Sequence, residues 1–117
     1  MKDKKGFIGF KYAWNGIKEV LKTERNMRIH VTLFTIILIA SIILRISTVE
    51  WLFVLSVSAL VLTTEMINSV IERITDYLFP HSDERAKHMK DIAAGAVLIA
   101  AVFAAIVGLI IFLPKVF

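Results

Sequence analysis

Cysteine is absent from this chain of 117 residues, and two prolines and five glycines are all that interrupt it. Without cysteine there is no disulfide framework, no thiol nucleophile and no thiolate metal site. Scarce proline and glycine leave few turns, so long helices are the expected elements. Charge is sparse as well, at 21 % of residues, and it is missing altogether from the 22 residues Ile92 to Leu113. At about 1.5 Å of rise per residue, such a run crosses a hydrocarbon core of about 30 Å. Several catalytic signatures are missing too. No G-x-x-x-x-G-K-[ST] loop cradles phosphates, His30, His81 and His88 lack the H-E-x-x-H spacing of a zinc site, and there is no elbow sequence for serine hydrolysis.

What the chain does contain is apolar surface. Hydrophobic residues make up 57 % of it and its mean hydropathy is +0.74, more than one small soluble core can hide. A bilayer is the solvent that accommodates such a chain. Val31 to Leu44 supplies 14 uncharged residues, and the span reaches about 20 once Arg28 and Arg45 snorkel to the two interfaces. Another apolar run starts at Trp51 and continues through acidic residues to Leu78. The expected fold class is all-α and integral to the membrane. One domain over residues 1–117 holds a surface helix at about 7–26 and transmembrane helices at about 28–46, 51–78 and 91–113.

Lys2, Lys4, Lys5, Lys11, Lys18, Lys22, Arg25 and Arg28 precede the first span, and Arg73, Arg85, Lys87 and Lys90 surround the connection after the second. These are twelve of the 14 basic residues, and the positive-inside rule makes their side cytoplasmic. The N-terminus and the acidic residues of the second span belong to that side. No leader peptide is expected, because the first apolar run follows a long basic segment without a small-residue cleavage site. A basic rim against anionic lipid accounts for the net charge of +4, so no nucleic-acid partner is expected.

Phe7, Phe10, Trp14, Ile17 and Leu21 recur at three and four, with Lys11, Lys18 and Lys22 opposite them. Aromatics on one face and lysines on the other describe a helix lying in the membrane interface. Turn chemistry is concentrated at Phe79 to Arg85. Pro80 stops the second span, and Ser82 or Asp83 can cap a short helix leading to Lys90, Asp91 and the last span. The loop is expected to fold over the acidic residues.

Those acids carry the chemistry. Glu65, Asn68, Glu72 and Asp76 stand at i, i+3, i+7 and i+11, within a stripe of roughly 80° on one helix. A carboxylate near hydrocarbon costs a few kcal/mol, so three in a row require partners or a ligand. Ion pairs with Arg73 or Arg28 are one answer. A divalent cation is the other, because Glu24, where the surface helix meets the first span, can reach the plane of Glu72. Glu24 and Glu72 are hard oxygen ligands and Lys90 is a phosphate partner, an inventory that suits Mg²⁺ bridging a nucleotide. Glu65 is left over, closest to the lipid. A carboxylate partly stripped of water there is fitted to take a proton from a hydroxyl presented by a lipid.

The run Glu65-Met-Ile-Asn-Ser-Val-Ile-Glu-Arg-Ile-Thr-Asp76, the Lys90-Asp91 pair followed by Ile-Ala-Ala-Gly-Ala-Val, and Tyr12-Ala-Trp-Asn-Gly-Ile leading to Thr23-Glu24-Arg25-Asn26 resemble the small prokaryotic diacylglycerol kinase family over nearly the whole chain. The details, including the closing Gly108-Leu-Ile-Ile-Phe-Leu-Pro-Lys, look like its Gram-positive members that act on undecaprenol. The resemblance implies a homotrimer of three-span subunits in a bacterial plasma membrane, with active sites shared between neighbours. It implies ATP and a membrane lipid as substrates and Mg²⁺ as cofactor. By position, Glu65 matches the general base and Glu24 and Glu72 the metal ligands. Lys90 and Asp91 match nucleotide contacts, with Asn68 and Asp76 in the polar shell around them and Tyr12 on the nucleotide side. Lys5 matches a further ATP contact, at a position where diacylglycerol-type relatives carry Arg, and loses the bidentate fork. Trp14, Arg28 and Ala94 join Glu65 as contacts for the lipid substrate.

Blander roles exist for several of these residues. Asn68 and Ser69 can hold helices together, and Ala93, Ala94, Gly95, Ala96, Ala100, Ala101, Ala104 and Ala105 suit close helix packing. The three histidines are read as interfacial. A noncatalytic ion-binding channel or transporter subunit is the alternative class. It would place polar groups at the midplane, where Ile36 to Leu44 and Val97 to Leu113 carry almost none. Within the kinase reading, diacylglycerol is the alternative substrate, since both lipids present a primary hydroxyl at the interface.

Overall fold

The computed structural model describes residues 6–117, of which the side chains from Gly9 onward are placed. Four helices follow one another: α1 (Gly6–Thr23), α2 (Arg25–Ile43), α3 (Thr48–Leu78) and α4 (Glu84–Val116). The described residues form no strand, and α2, α3 and α4 are each long and apolar enough to cross a membrane. The chain is thus an all-helical, multi-pass membrane protein with one additional amphipathic helix.

Each helix ends where the chain supplies a stop. Glu24 alone separates α1 from α2, with extended backbone at φ −111° and ψ 112°. Arg28 steadies this break by donating to the carbonyls of Leu21 at 2.9 Å and Lys22 at 3.0 Å, satisfying acceptors that the end of α1 leaves open. At the far end of α2, Arg45 takes the left-handed conformation at φ 52°, and the Ile46 N–H returns to the Ser41 carbonyl at 3.3 Å. Glycine is the usual residue for that turn. Ser47 and Glu50 then cap α3 reciprocally, a capping box that starts the helix at Thr48, ahead of the apolar run.

The expected short helix before the last span does not exist as a separate element. Asp83 accepts the Arg85 N–H at 2.8 Å, and α4 runs unbroken from Glu84 for 33 residues. Nothing between the polar start and the apolar run breaks a helix, so the two parts fuse. The Arg85 guanidinium, followed by the Arg85 N–H, holds the Asp83 carboxyl below the usual carboxylate range.

The main packing surface joins α3 to α4. Val54, Val61, Asn68 and Thr75 on α3 recur every seventh residue, as do Ala86, Ala93 and Ala100 on α4, and all seven are buried. A seven-residue period keeps one seam facing a partner helix, and alanines let the backbones come close. The helices run antiparallel, tied at one end by Lys115 and Glu50 at 3.1 Å and at the other by Lys90 and Asp76. Ile46, Val54 and Ile111 form the buried apolar cluster, backed by Trp51, Val107 and Phe112. Outside this seam the helices are clothed in exposed Leu, Ile, Val and Phe, as lipid-facing surfaces require. At about 1.5 Å per residue the 31 residues of α3 extend about 46 Å. That exceeds a hydrocarbon core of about 30 Å, and the excess carries Glu72 and Asp76 beyond it.

Candidate active site

Glu65, on α3, is 4 % exposed. The polar groups that act on it are His30 and Asn26 from α2, Glu72 from α3, and Glu24 from the α1–α2 break. Asn26 and His30 are four apart and so share one face of α2. Glu65 therefore lies where α2 and α3 meet, below the acids expected to hold a metal. Among the described residues no ion pair reaches it. The arginines expected to neutralise the stripe are committed elsewhere, Arg28 to the carbonyls of α1 and Arg73 to Glu19 at 3.4 Å and Glu24 at 3.5 Å, while Lys90 pairs with Asp76 at the outer end. A carboxylate buried without a cation is costly in a structural role and useful in a proton-transfer role.

Two further polar groups are buried beside it. Asn68 is 6 % exposed and Ser69 2 % exposed, and neither Asn68 Oδ1 nor Ser69 Oγ has a hydrogen-bond partner among the described residues. An orphaned buried acceptor costs about 1–3 kcal/mol. Helix gluing, which would have satisfied both groups, is thus not what they do within one chain.

Glu24 is the residue before α2 and yet its side chain makes no capping bond. Its carboxylate instead lies half-buried beside Arg73. The described residues contain no set of three His, Asp or Glu side chains that could hold a metal unaided. Mg²⁺, however, keeps several waters and takes one or two carboxylates together with substrate phosphates. Glu24 and Glu72, which both act on Glu65, and the unpartnered oxygen of Asn68 offer oxygen donors only, the chemistry that such an ion takes.

The Phe79–Asp83 loop reaches only the outer end of the stripe. It forms a cup of about 400 Å³ with Asp76, Ala86, Lys87, Lys90 and Asp91, and neither Glu65 nor Glu72 lines it. Of the acids it was expected to cover, it meets Asp76 alone. Lys90 pairs with Asp76, and Lys87 with Asp91 at 2.7 Å. Tyr12 and Trp14 are exposed on α1. Ala94 faces outward from α4 while its neighbour Ala93 lies in the seam, so packing against α3 belongs to Ala93. Lys5 lies outside the described residues.

The Arg73 link to α1 escaped the sequence reading. Arg73 Nη2 donates to Thr23 Oγ1 at 2.7 Å across 50 positions, a contact without a local spacing to announce it. The exposed face of the stripe and the amphipathic face of α1 were the available hints.

This arrangement defines a class: a membrane-embedded helical bundle with a polar, oxygen-rich site at one end. The particular family follows from comparison. Residues 11–112 match the prokaryotic diacylglycerol kinase family. The chain is 37 % identical over 109 residues to an undecaprenol kinase of Bacillus subtilis (strain 168), covering 93 % of this chain and 89 % of that one. It is also 37 % identical over 108 residues to a diacylglycerol kinase of Synechocystis sp. (strain ATCC 27184 / PCC 6803 / Kazusa), covering 92 % of this chain and 62 % of the longer relative. The chain belongs to the prokaryotic diacylglycerol kinase family and is a lipid kinase.

Proposed function

We propose that this protein phosphorylates undecaprenol with ATP at the cytoplasmic face of a bacterial plasma membrane, giving undecaprenyl phosphate. The observation that carries the reading is Glu65, a buried carboxylate with no ion pair among the described residues, on an apolar spanning helix. Glu65 takes the proton of that hydroxyl, the lipid oxygen bonds to the γ-phosphorus, the bond from that phosphorus to the bridging oxygen breaks, and ADP leaves with the electron pair. Glu24 and Glu72 would hold Mg²⁺, with Asn68 beside them. The ion, when bound, neutralises charge on the phosphates. Lys90 and Asp91, with Asp76, face the nucleotide from the loop cup, and Tyr12 approaches it from α1. Trp14, Arg28 and Ala94 border the lipid.

Orientation rests on the basic residues, twelve of 14 on one side. Three such subunits form the working assembly, with each site completed by a neighbour, since one chain buries Glu65 and Asn68 but leaves Glu72 only partly covered and Asp76 exposed. The similarity to the undecaprenol kinase extends over most of both chains, which favours undecaprenol over diacylglycerol. The equal identity to a diacylglycerol kinase supports the second reading, phosphatidic acid as product. Purified protein in mixed micelles with labelled ATP, offered both lipids side by side, tests the choice. Faster labelling of undecaprenol is the expected result. Preferred labelling of diacylglycerol would reverse the assignment.

A further inference from the structure

Arg73 is the polar connection between α1 and α3. Its Nη1 meets Glu19 Oε2 at 3.4 Å and its Nη2 donates to Thr23 Oγ1 at 2.7 Å, and these are the only hydrogen bonds and ion pairs joining the two helices among the described residues. The same Nη2 lies 3.5 Å from Glu24 Oε2. Thr23 is itself fixed, donating to the Glu19 carbonyl at 2.8 Å. One guanidinium thus gathers the last turn of α1 and the single extended residue that follows it.

The consequence falls on Glu24. Extended backbone at an isolated position between two helices leaves its side chain several directions, and the capping bond that usually fixes one of them is not made. Arg73 is the only ion-pair partner its carboxylate has among the described residues. Arg73 also follows Glu72 directly in α3, so neighbouring residues of one helical turn carry one acid and the clamp for the other. A planar fork with five donors can serve three acceptors at once, whereas an ammonium on a flexible stem serves them poorly.

We infer that Arg73 is a positioning residue that holds the Glu24 carboxylate opposite Glu72 by tying the end of α1 to α3. The inference rests on the proposed metal role of Glu24 and Glu72, and it assigns the origin of their geometry. In this role Arg73 acts through Glu24 and not on the substrate. It acts before the nucleotide arrives, by limiting the directions in which Glu24 can point.

Two measurements on the full-length protein in micelles test this. The first is hydrogen exchange of the amides at residues 19–26 without nucleotide or metal, which is independent of any reaction. Arg73→Ala should speed exchange there and leave α4 as in the unaltered protein, and Arg73→Lys should fall between. The second is Mn²⁺ binding, followed by loss of the free-ion electron paramagnetic resonance signal with a non-hydrolysable ATP analogue present. Removing a residue that orients a metal ligand weakens affinity by about 10- to 100-fold, so Arg73→Ala should show at least the lower figure and Arg73→Lys a partial recovery. In an Glu24→Ala background the further change Arg73→Ala should have little effect, because the ligand it positions is gone. Unaltered Mn²⁺ affinity in Arg73→Ala, with Glu24→Ala weakened, overturns the positioning role while leaving the metal site standing. Unaltered affinity in Glu24→Ala overturns the metal role of Glu24, and the inference falls with it.

Discussion

Glu65→Gln keeps the shape of a buried side chain and removes its capacity to accept a proton. Phosphoryl transfer should fall by about 10²- to 10⁴-fold, the usual contribution of a general base, while binding of a nucleotide analogue stays near that of the unaltered protein. Single-turnover labelling of lipid alongside analogue binding separates the two, and rapid turnover by the variant would remove Glu65 from the role. At this scale the sequence was most readable where spacing is local. Glu65, Asn68 and Glu72 could be placed on one face by counting, because a helix returns to the same face every three or four residues. The burial of Ser69 and Thr75 could not, since it depends on which neighbouring helix covers them. Nor could the partners of Arg73 and Lys90, which lie up to 54 positions away in sequence. The periodicity that places a charge on a face does not say which opposite charge will meet it.

Among the elements, the α3–α4 seam determines how firmly the stripe is held. Ala100 is 2 % exposed within it, so Ala100→Leu must push the helices apart or force strained rotamers. Overpacking of this kind costs about 1–3 kcal/mol, whereas Ala105→Leu, on an exposed position of the same helix, should change little. Thermal unfolding in detergent compares them, and equal midpoints would show that the seam is not the limiting contact. The alanine pattern told of close packing before any partner was known, and the partner helix carries a matching seven-residue series. The ends of the elements were less legible. Glu24 had none of the usual marks of a break, and the fusion of the polar segment with the last span left no signal, because a well-capped polar start and an apolar run are both good helix.

For the whole molecule, the sequence carried the number of spans and the surface helix, since hydropathy and amphipathic spacing are averages over many residues. It could not carry the proposed assembly, which would rest on surfaces between copies. Because Glu24 acts on Glu65 of its own chain, inactive Glu24→Ala and Glu65→Gln subunits, mixed under conditions of verified exchange, should stay as inactive as the parents. Regained activity would place the two residues of a working site on different chains.

The unbroken course of α4 has a mechanical side. Its 33 residues make a rod of about 50 Å, with Lys90 and Asp91 on the part that projects from the bilayer and no joint between that part and the part immersed in lipid. A helix longer than the hydrocarbon adjusts to membrane thickness by tilting, and a jointless rod turns tilt into sideways travel of its tip. On the proposed function, the short arm of this lever carries Lys90 and Asp91 to the nucleotide. Turnover in vesicles of graded acyl-chain length should pass through an optimum, and the apparent affinity for ATP should worsen on either side of it. A level response across chain lengths would mean that the neighbouring helices, and not the lipid, set the angle of the rod.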